Sequence, residues 1–197
     1  MDYSDSIKVV LVGTTHPGNI GATARAIKTM GLSKLDLVCP KEFPSNEATY
    51  RSKAAKDILE KASTYETLLE SVKECELVIG TSARNRKVPW PVLNPKDASK
   101  EISLAVKNNS KVGIVFGRED RGLTNEELGL CNLHVHIPTN EDFTSLNLAQ
   151  AVQIVTYEIR MKFLESENLK NDQEWDVELA STEQTERLIE HMDELMK

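Results

Sequence analysis

Four polar clusters in this chain carry side chains able to do chemistry, and three of them read as sites for anionic oxygen. Asn19, Gly21 and Arg25 form Asn-x-Gly-x-x-x-Arg, with Ala22, Ala24 and Ala26 around the arginine. Small neighbours let another backbone approach while the guanidinium reaches out, and its planar fork can donate to two oxygens of a phosphate. Arg84, Arg86 and Lys87 make a basic cluster directly after the apolar run Leu77-Val78-Ile79. Open α/β sheets bind ligands at such strand ends. Gly117-Arg118-Glu119-Asp120-Arg121-Gly122 follows a second apolar run, and an ion pair with Arg118 or Arg121 is the simplest reading of Glu119. The fourth cluster, Ser145-Leu146-Asn147, opens a long helical pattern, where the ordinary role of a serine is to cap the helix.

Other chemistries find less support. His134 and His136 flank Val135 and so share one strand face, but no further ligand stands at metal-site spacing, and no metal is expected. His16 in the first loop is at most a site-lining residue. The glycines Gly13, Gly18 and Gly21 do not match G-x-G-x-x-G, and no Gly-Lys-Ser/Thr follows. The dinucleotide fingerprint and the P-loop both fail, which disfavours a flavodoxin- or Rossmann-type nucleotide binder. No Ser-His-Asp or Cys-His order emerges. Trp90, between two prolines, reads either as a stacking surface or as a hydrophobic plug.

The elements that must position these clusters are short apolar strands alternating with helices. Residues 77–80 and 112–116 are unbroken apolar runs, 7–12 and 35–38 are apolar runs apart from Lys8 and Asp36, and 134–137 is a shorter alternating strand. Helices are predicted over 20–30, with Asn19 as N-cap, and over 46–62, 65–73, 97–106 and 145–164. In the second of these, Ala48, Ala54, Ala55, Ile58, Leu59 and Ala62 form the inner face. This alternation predicts an α/β fold, a mostly parallel sheet with helices on both faces. The helix from Ser145 carries Leu148, Val152, Val155 and Ile159, more than one core-facing stripe, which with the Ala-flanked Arg25 helix predicts a homodimer. Residues 1–164 read as one domain, 165–181 as an acidic linker and 182–197 as a final helix with an apolar stripe that needs a partner.

Composition narrows the compartment. The chain has 197 residues and a formal charge of −7. From residue 165 onward there are 11 acidic and 3 basic residues, so residues 1–164 carry 20 acidic and 21 basic. The near-neutral body leaves room for a basic patch facing nucleic acid. Three scattered cysteines without a Cys-x-x-Cys pair argue for a reducing compartment. No apolar run is long enough to span a bilayer, and residues 1–5 lack the layout of a signal peptide. The expected location is the cytoplasm.

Three segments in this order resemble the SPOUT superfamily of RNA methyltransferases. They are Asn19-Ile20-Gly21-Ala22-Thr23-Ala24-Arg25-Ala26, then Ile114-Val115-Phe116-Gly117-Arg118-Glu119-Asp120-Arg121-Gly122-Leu123-Thr124, then Ile137-Pro138 followed by Ser145-Leu146-Asn147-Leu148-Ala149-Gln150-Ala151-Val152. The likeness covers about residues 7–164. It is nearest to the branch that methylates the ribose 2′-oxygen of cytidine or uridine at anticodon-loop nucleotide 32 of tRNA. A ribosomal RNA methyltransferase of the same fold and a non-catalytic RNA-binding module are the rival readings.

The resemblance implies a C-terminal trefoil knot, S-adenosylmethionine as cofactor, tRNA as partner, no metal, and a homodimer whose sites are completed by the opposing subunit. Arg25, Asn19 and Ser145 are implied as catalytic. Backbone groups of Thr81, Ser82, Ala83, Gly117, Ile137 and Leu146, with Glu119 and Asn147, are implied to hold the cofactor. A Cβ on Gly117 is expected to collide with that ligand. Arg84, Arg86 and Arg118 are implied to face RNA. Relatives of this branch run on into a longer basic C-terminal region, and the chain stops within what looks like the first helix of that RNA-binding extension.

Overall fold

The computed structural model describes residues 3–82, 91–166 and 181–196. The chain runs β1 (Ile7–Val12), α1 (Pro17–Thr29), β2 (Lys34–Val38), α2 (Asn46–Ser52), a 3-10 turn (Lys53–Ala55), α3 (Lys56–Glu60), β3 (Ser63–Tyr65), α4 (Leu68–Val72), β4 (Leu77–Thr81), β5 (Val92–Leu93), α5 (Pro95–Lys107), β6 (Val112–Phe116), α6 (Asn125–Gly129), β7 (Leu133–Val135), α7 (Leu148–Ser166) and α8 (Thr182–Leu195). The strands form one sheet in the order β3-β2-β1-β6-β4-β7-β5, and every paired neighbour is parallel. A strand buried on both faces must be apolar, as β6 is throughout and β1 is apart from the half-buried Lys8.

Alternate residues of the strands feed two cores. Ile7, Val9, Leu11, Leu35, Leu37, Ile114 and Phe116 pack on one face with Ile20, Ile27, Ile102, Val152 and Val155 from α1, α5 and α7. Val10, Val12, Val38, Val78 and Val115 pack on the other with Leu68 and Val72 of α4 and Leu128 of α6. The long helices thus cover one face and the two short ones the other. Helix α1 also packs closely on α2. A Cβ on Gly21 would meet the carbonyl of Ala48, so the glycine is what allows this approach.

Several expected boundaries move, each for a local reason. Helix α1 starts at Pro17 after His16, not at an Asn19 cap. Proline suits the first turn because its missing N–H would have had no partner there, and the Asn19 amide is thereby freed for other bonds. The single helix expected over 46–62 is broken. The hydroxyl of Ser52 turns back to the carbonyl of Thr49 (2.8 Å), and Lys53 takes a left-handed φ of 50°. Ala54 consequently faces solvent while Ala48 and Ala55 stay buried. The helix expected over 65–73 begins at Leu68, because Thr67 and Glu70 form a reciprocal capping box and residues 63–65 pair with β2. Strand β7 ends at Val135, and α7 begins at Leu148 instead of Ser145.

Leu148, Val152, Val155 and Ile159 of α7 are all buried in the core of their own chain. They are not surplus, and the stripe argument for a dimer does not hold. What α7 leaves exposed is Tyr157 and Met161. The chain divides into two units, Met1–Glu167 and Asn168–Lys197. In the second, Leu188, Ile189, Met192 and Leu195 of α8 are exposed, as is Met196 just after it. Among the described residues no helix is long and apolar enough to cross a membrane.

Candidate active site

Strands β6, β4 and β7 are neighbours, so their carboxyl ends release three loops side by side. Ser82 donates its N–H to Val135 O at 2.9 Å, and the Thr81 hydroxyl donates to Val115 O at 3.0 Å. The His136 ring sits 3.1 Å from Ser82 O. Between the loops lies a cleft of about 250 Å³ lined by Thr81, Ser82, Gly117, Glu119, Ile137, Ser145 and Leu146, with Phe116, Leu128, Val135 and Leu148 giving it an apolar floor. Convergent main chain around an apolar floor is the usual make-up of a small-molecule site.

The loop after β6 is a tight return. Gly122 N–H donates to Arg118 O at 2.9 Å, and Arg118 N–H donates to Gly122 O at 3.3 Å. Gly122 holds φ at 72°, and a Cβ on Gly117 would run into the backbone of Gly122 and Leu123. The expected collision of such a Cβ with a ligand is therefore replaced by a collision with the loop itself. Gly117 is needed first so that the loop can close.

Arg118 leaves this loop across Gly13, and both its terminal nitrogens donate to Glu127, each at 3.0 Å. Glu127 also accepts from Thr124 N–H at 2.7 Å as part of the capping box of α6. The fork expected to face RNA is thus spent on fixing α6 beside the cleft.

Among the described residues Glu119 makes no ion pair. Its Oε2 accepts from the N–H and hydroxyl of Thr15 (3.1 and 3.0 Å), and its Oε1 accepts from Asn19 Nδ2 (2.9 Å) and His16 N–H (3.4 Å). Burial opposes its charge, but the hydrogen bonds from Asn19 and Thr15 outweigh it and hold the carboxyl below its ordinary range. Asn19 Oδ1 in turn accepts from Asn147 Nδ2 at 2.9 Å, and Asn147 Oδ1 accepts from Ala149 N–H at 2.9 Å. A relay Glu119–Asn19–Asn147 therefore ties the segment at Asn19 to two others that lie 100 and 128 residues further on. Thr15, which sequence reasoning passed over, supplies two of its bonds. No spacing rule marks a threonine whose partner lies 104 residues on.

Arg25 lies within two turns of Asn19 along α1, is exposed, and makes no side-chain hydrogen bond or ion pair among the described residues. Ser145 is exposed on the cleft wall. Ala83, Arg84, Arg86, Lys87 and Trp90 lie outside the described residues. Cys131, behind Leu128, is no nucleophile, since burial pushes its thiol up to about 12. Among the described residues no group of three or more His, Cys, Asp or Glu could hold a metal ion.

Comparison with known proteins agrees with this geometry. Residues 6–157 match the model of the SpoU rRNA Methylase family. The tRNA (cytidine/uridine/adenosine-2′-O-)-methyltransferase TrmJ of Pseudomonas aeruginosa (strain UCBPP-PA14) is 46% identical over 196 residues, covering 96% of this chain and 76% of that protein. Among solved structures, a probable methylase family protein from Haemophilus influenzae Rd KW20 superposes with a TM-score of 0.78 at 42% identity, over 96% of this chain and 78% of that one. TrmJ from Z. mobilis ZM4 superposes with a TM-score of 0.74 at 32% identity, over the same shares, 96% and 78%. With its family segment spanning the whole sheet and the cleft at its carboxyl edge, this chain belongs to the SpoU rRNA Methylase family and is a methyltransferase.

Proposed function

We propose that the chain methylates the ribose 2′-oxygen of cytidine or uridine at anticodon-loop nucleotide 32 of tRNA. It uses S-adenosylmethionine and acts in the cytoplasm as a homodimer, with a trefoil knot formed by the loops after β6 and β7. The relay Glu119–Asn19–Asn147 at the edge of the cleft carries this reading. It locks all three SPOUT-like segments into one site, with Arg25 unpaired among the described residues on the same helix as Asn19. The name of the Pseudomonas aeruginosa relative supplies tRNA, and it includes cytidine and uridine, with adenosine, among the nucleosides methylated.

The cleft suits the cofactor. Its apolar floor and exposed main chain fit a nucleoside with a short polar tail. The chemistry supplied by the cofactor when bound is an activated methyl group on a sulfonium, so no metal is needed. Main-chain groups of Thr81, Ser82, Gly117, Ile137 and Leu146 hold it. Glu119 and Asn147, whose side chains are engaged in the relay, set the loop geometry. Closing substrate into the cleft aligns the 2′-oxygen and excludes water, an effect worth roughly 7–11 kcal/mol in favourable cases. Arg25, reaching the opposing site, binds phosphate and stabilises the developing alkoxide, while Ser145 positions the ribose. A guanidinium is a poor base near neutrality, so proton removal is shared with the RNA or late. The exposed Tyr157 and Met161 of α7 are candidates for the dimer contact.

The test is transfer of labelled methyl to tRNA transcripts, with the product nucleoside mapped by mass spectrometry. Methylation at nucleotide 32 is expected, and methylation confined to ribosomal RNA would overturn the assignment. Arg25→Ala should lower turnover by about 10²–10³ while donor affinity stays within a factor of a few. Arg25→Lys should recover only part of the loss. A dimer mixed from Arg25→Ala chains and chains unable to bind donor should regain one working site. A mixed dimer as inactive as its parents places Arg25 outside the opposing site.

A further inference from the structure

Two arginines leave the same short loop after β6 with opposite fates. Arg118 is 21% exposed at its side chain, and both its terminal nitrogens are held by Glu127. Arg121 is 72% exposed, and its one ion pair is a loose 3.6 Å contact from Nε to the neighbouring Asp120. Its terminal nitrogens make no bond among the described residues, yet the residue lines the cleft. The backbone beneath it is held rigidly by the Arg118–Gly122 bridge and by the grip of Thr15 and Asn19 on Glu119. A fixed stem with a free fork loses little entropy on binding an oxyanion.

The loop after β7 faces the same cleft through Thr139 and Thr144. Between them stands Phe143, 77% exposed, the most exposed large apolar side chain among the described residues. Its backbone is fixed. Phe143 N–H donates to Asn140 O at 3.1 Å, and Asp142 N–H donates to Asn140 Oδ1 at 3.0 Å. A phenyl ring presented to water by an ordered turn forgoes the burial that its apolar surface favours, which a partner can return. Glu141 and Asp142 beside it repel phosphate and leave the ring's face for a base.

We propose that these two lips form a nucleotide grip. Arg121 takes a phosphate of the RNA strand next to the reacting ribose, and Phe143 stacks on a base of that strand. The proposal rests on the reading of this cleft as the methyl-transfer site. It replaces Arg118 by Arg121 as the RNA-facing arginine of the loop.

The test uses the full chain and an anticodon stem-loop RNA carrying 2-aminopurine beside the target nucleotide. Phe143→Ala should raise the KM for RNA by about 5- to 150-fold, the range expected for loss of one base stack. It should also abolish quenching of the 2-aminopurine, and Phe143→Trp should restore both. Arg121→Ala should weaken RNA binding several-fold and reduce the slope of log affinity against log salt by about one. Donor affinity by calorimetry, the urea midpoint and the sedimentation coefficient should stay unchanged in both variants. Three results overturn the grip: unaltered RNA affinity and quenching, loss of donor binding in Arg121→Ala, which gives its fork to the donor carboxylate, or dissociation of Phe143→Ala into monomers, which gives the ring to a second copy. Wild-type chain that binds donor and methylates no tRNA refutes the function itself, whereas active wild-type with unaffected variants refutes only the grip.

Discussion

Two carboxylates of the same sheet are satisfied in opposite ways. Asp36 of β2, 9% exposed, accepts from Lys8 Nζ and from the Ser71 hydroxyl, both at 2.9 Å. Lys8 Nζ also donates to Ser71 O at 2.9 Å. Charge meets charge, and the pair serves to seat α4 on the sheet. Glu119, past the carboxyl end of β6, is held among the described residues by neutral donors alone and keeps its negative charge at the cleft. A buried charge paired with a cation is a packing solution, often replaceable by apolar groups. A charge retained by neutral donors costs more to keep, and that expense locates the place where the fold serves chemistry.

The largest effect should come from breaking the first pair. Lys8→Met strands Asp36 beneath α4 and should cost about 3–5 kcal/mol in urea unfolding, with methyl transfer per folded molecule unchanged. A variant that kept its midpoint and lost turnover would break the contrast drawn above.

Gly117→Ala comes next. The new Cβ meets the backbone of Gly122 and Leu123, and overpacking of this kind costs about 1–3 kcal/mol. Faster hydrogen exchange confined to residues 117–124, together with weaker donor binding, is expected. Loss of donor affinity with unaltered exchange would return Gly117 to direct ligand contact.

Glu119→Gln sharpens the contrast with a smaller loss, about 1–2 kcal/mol, since the amide nitrogen faces donors already aimed at it. Its activity should fall far more than its stability, the reverse of Lys8→Met. The pH dependence follows from the same carboxyl. Because folding lowers its pKa, its contribution is complete above the ordinary glutamate range and is lost as pH falls through the lowered value. Acid unfolding curves of wild type and Glu119→Gln should therefore converge at low pH.

The smallest effect concerns Lys8 at alkaline pH. Burial disfavours its charge, but the hydrogen bond and charge of Asp36 outweigh this and raise its pKa. Its stabilisation is thus complete at neutral pH and fades only as pH rises through the raised value. Lys8→Met should lack that alkaline decline, as thermal unfolding from pH 8 to 11 would show.

Local signals in the sequence carried the sheet and its loops. Short runs dominated by Val, Ile and Leu dictate buried parallel strands, because that signal depends on neighbours a few residues apart. The motif segments around Asn19, Gly117 and Asn147 were legible for the same reason. Their partners were not. That Glu119 bonds to Thr15 and Asn19 is decided by the strand order, which sets the loops after β1 and β6 side by side, and that Arg118 is consumed by Glu127 while Gly117 answers to Gly122 is decided by how the loop after β6 folds back on itself. So is the burial of Leu148, Val152, Val155 and Ile159 within one chain. Residue type and spacing state what a side chain is able to bind. Only the packed sheet, by bringing positions a hundred residues apart within 3 Å, decides what it does bind.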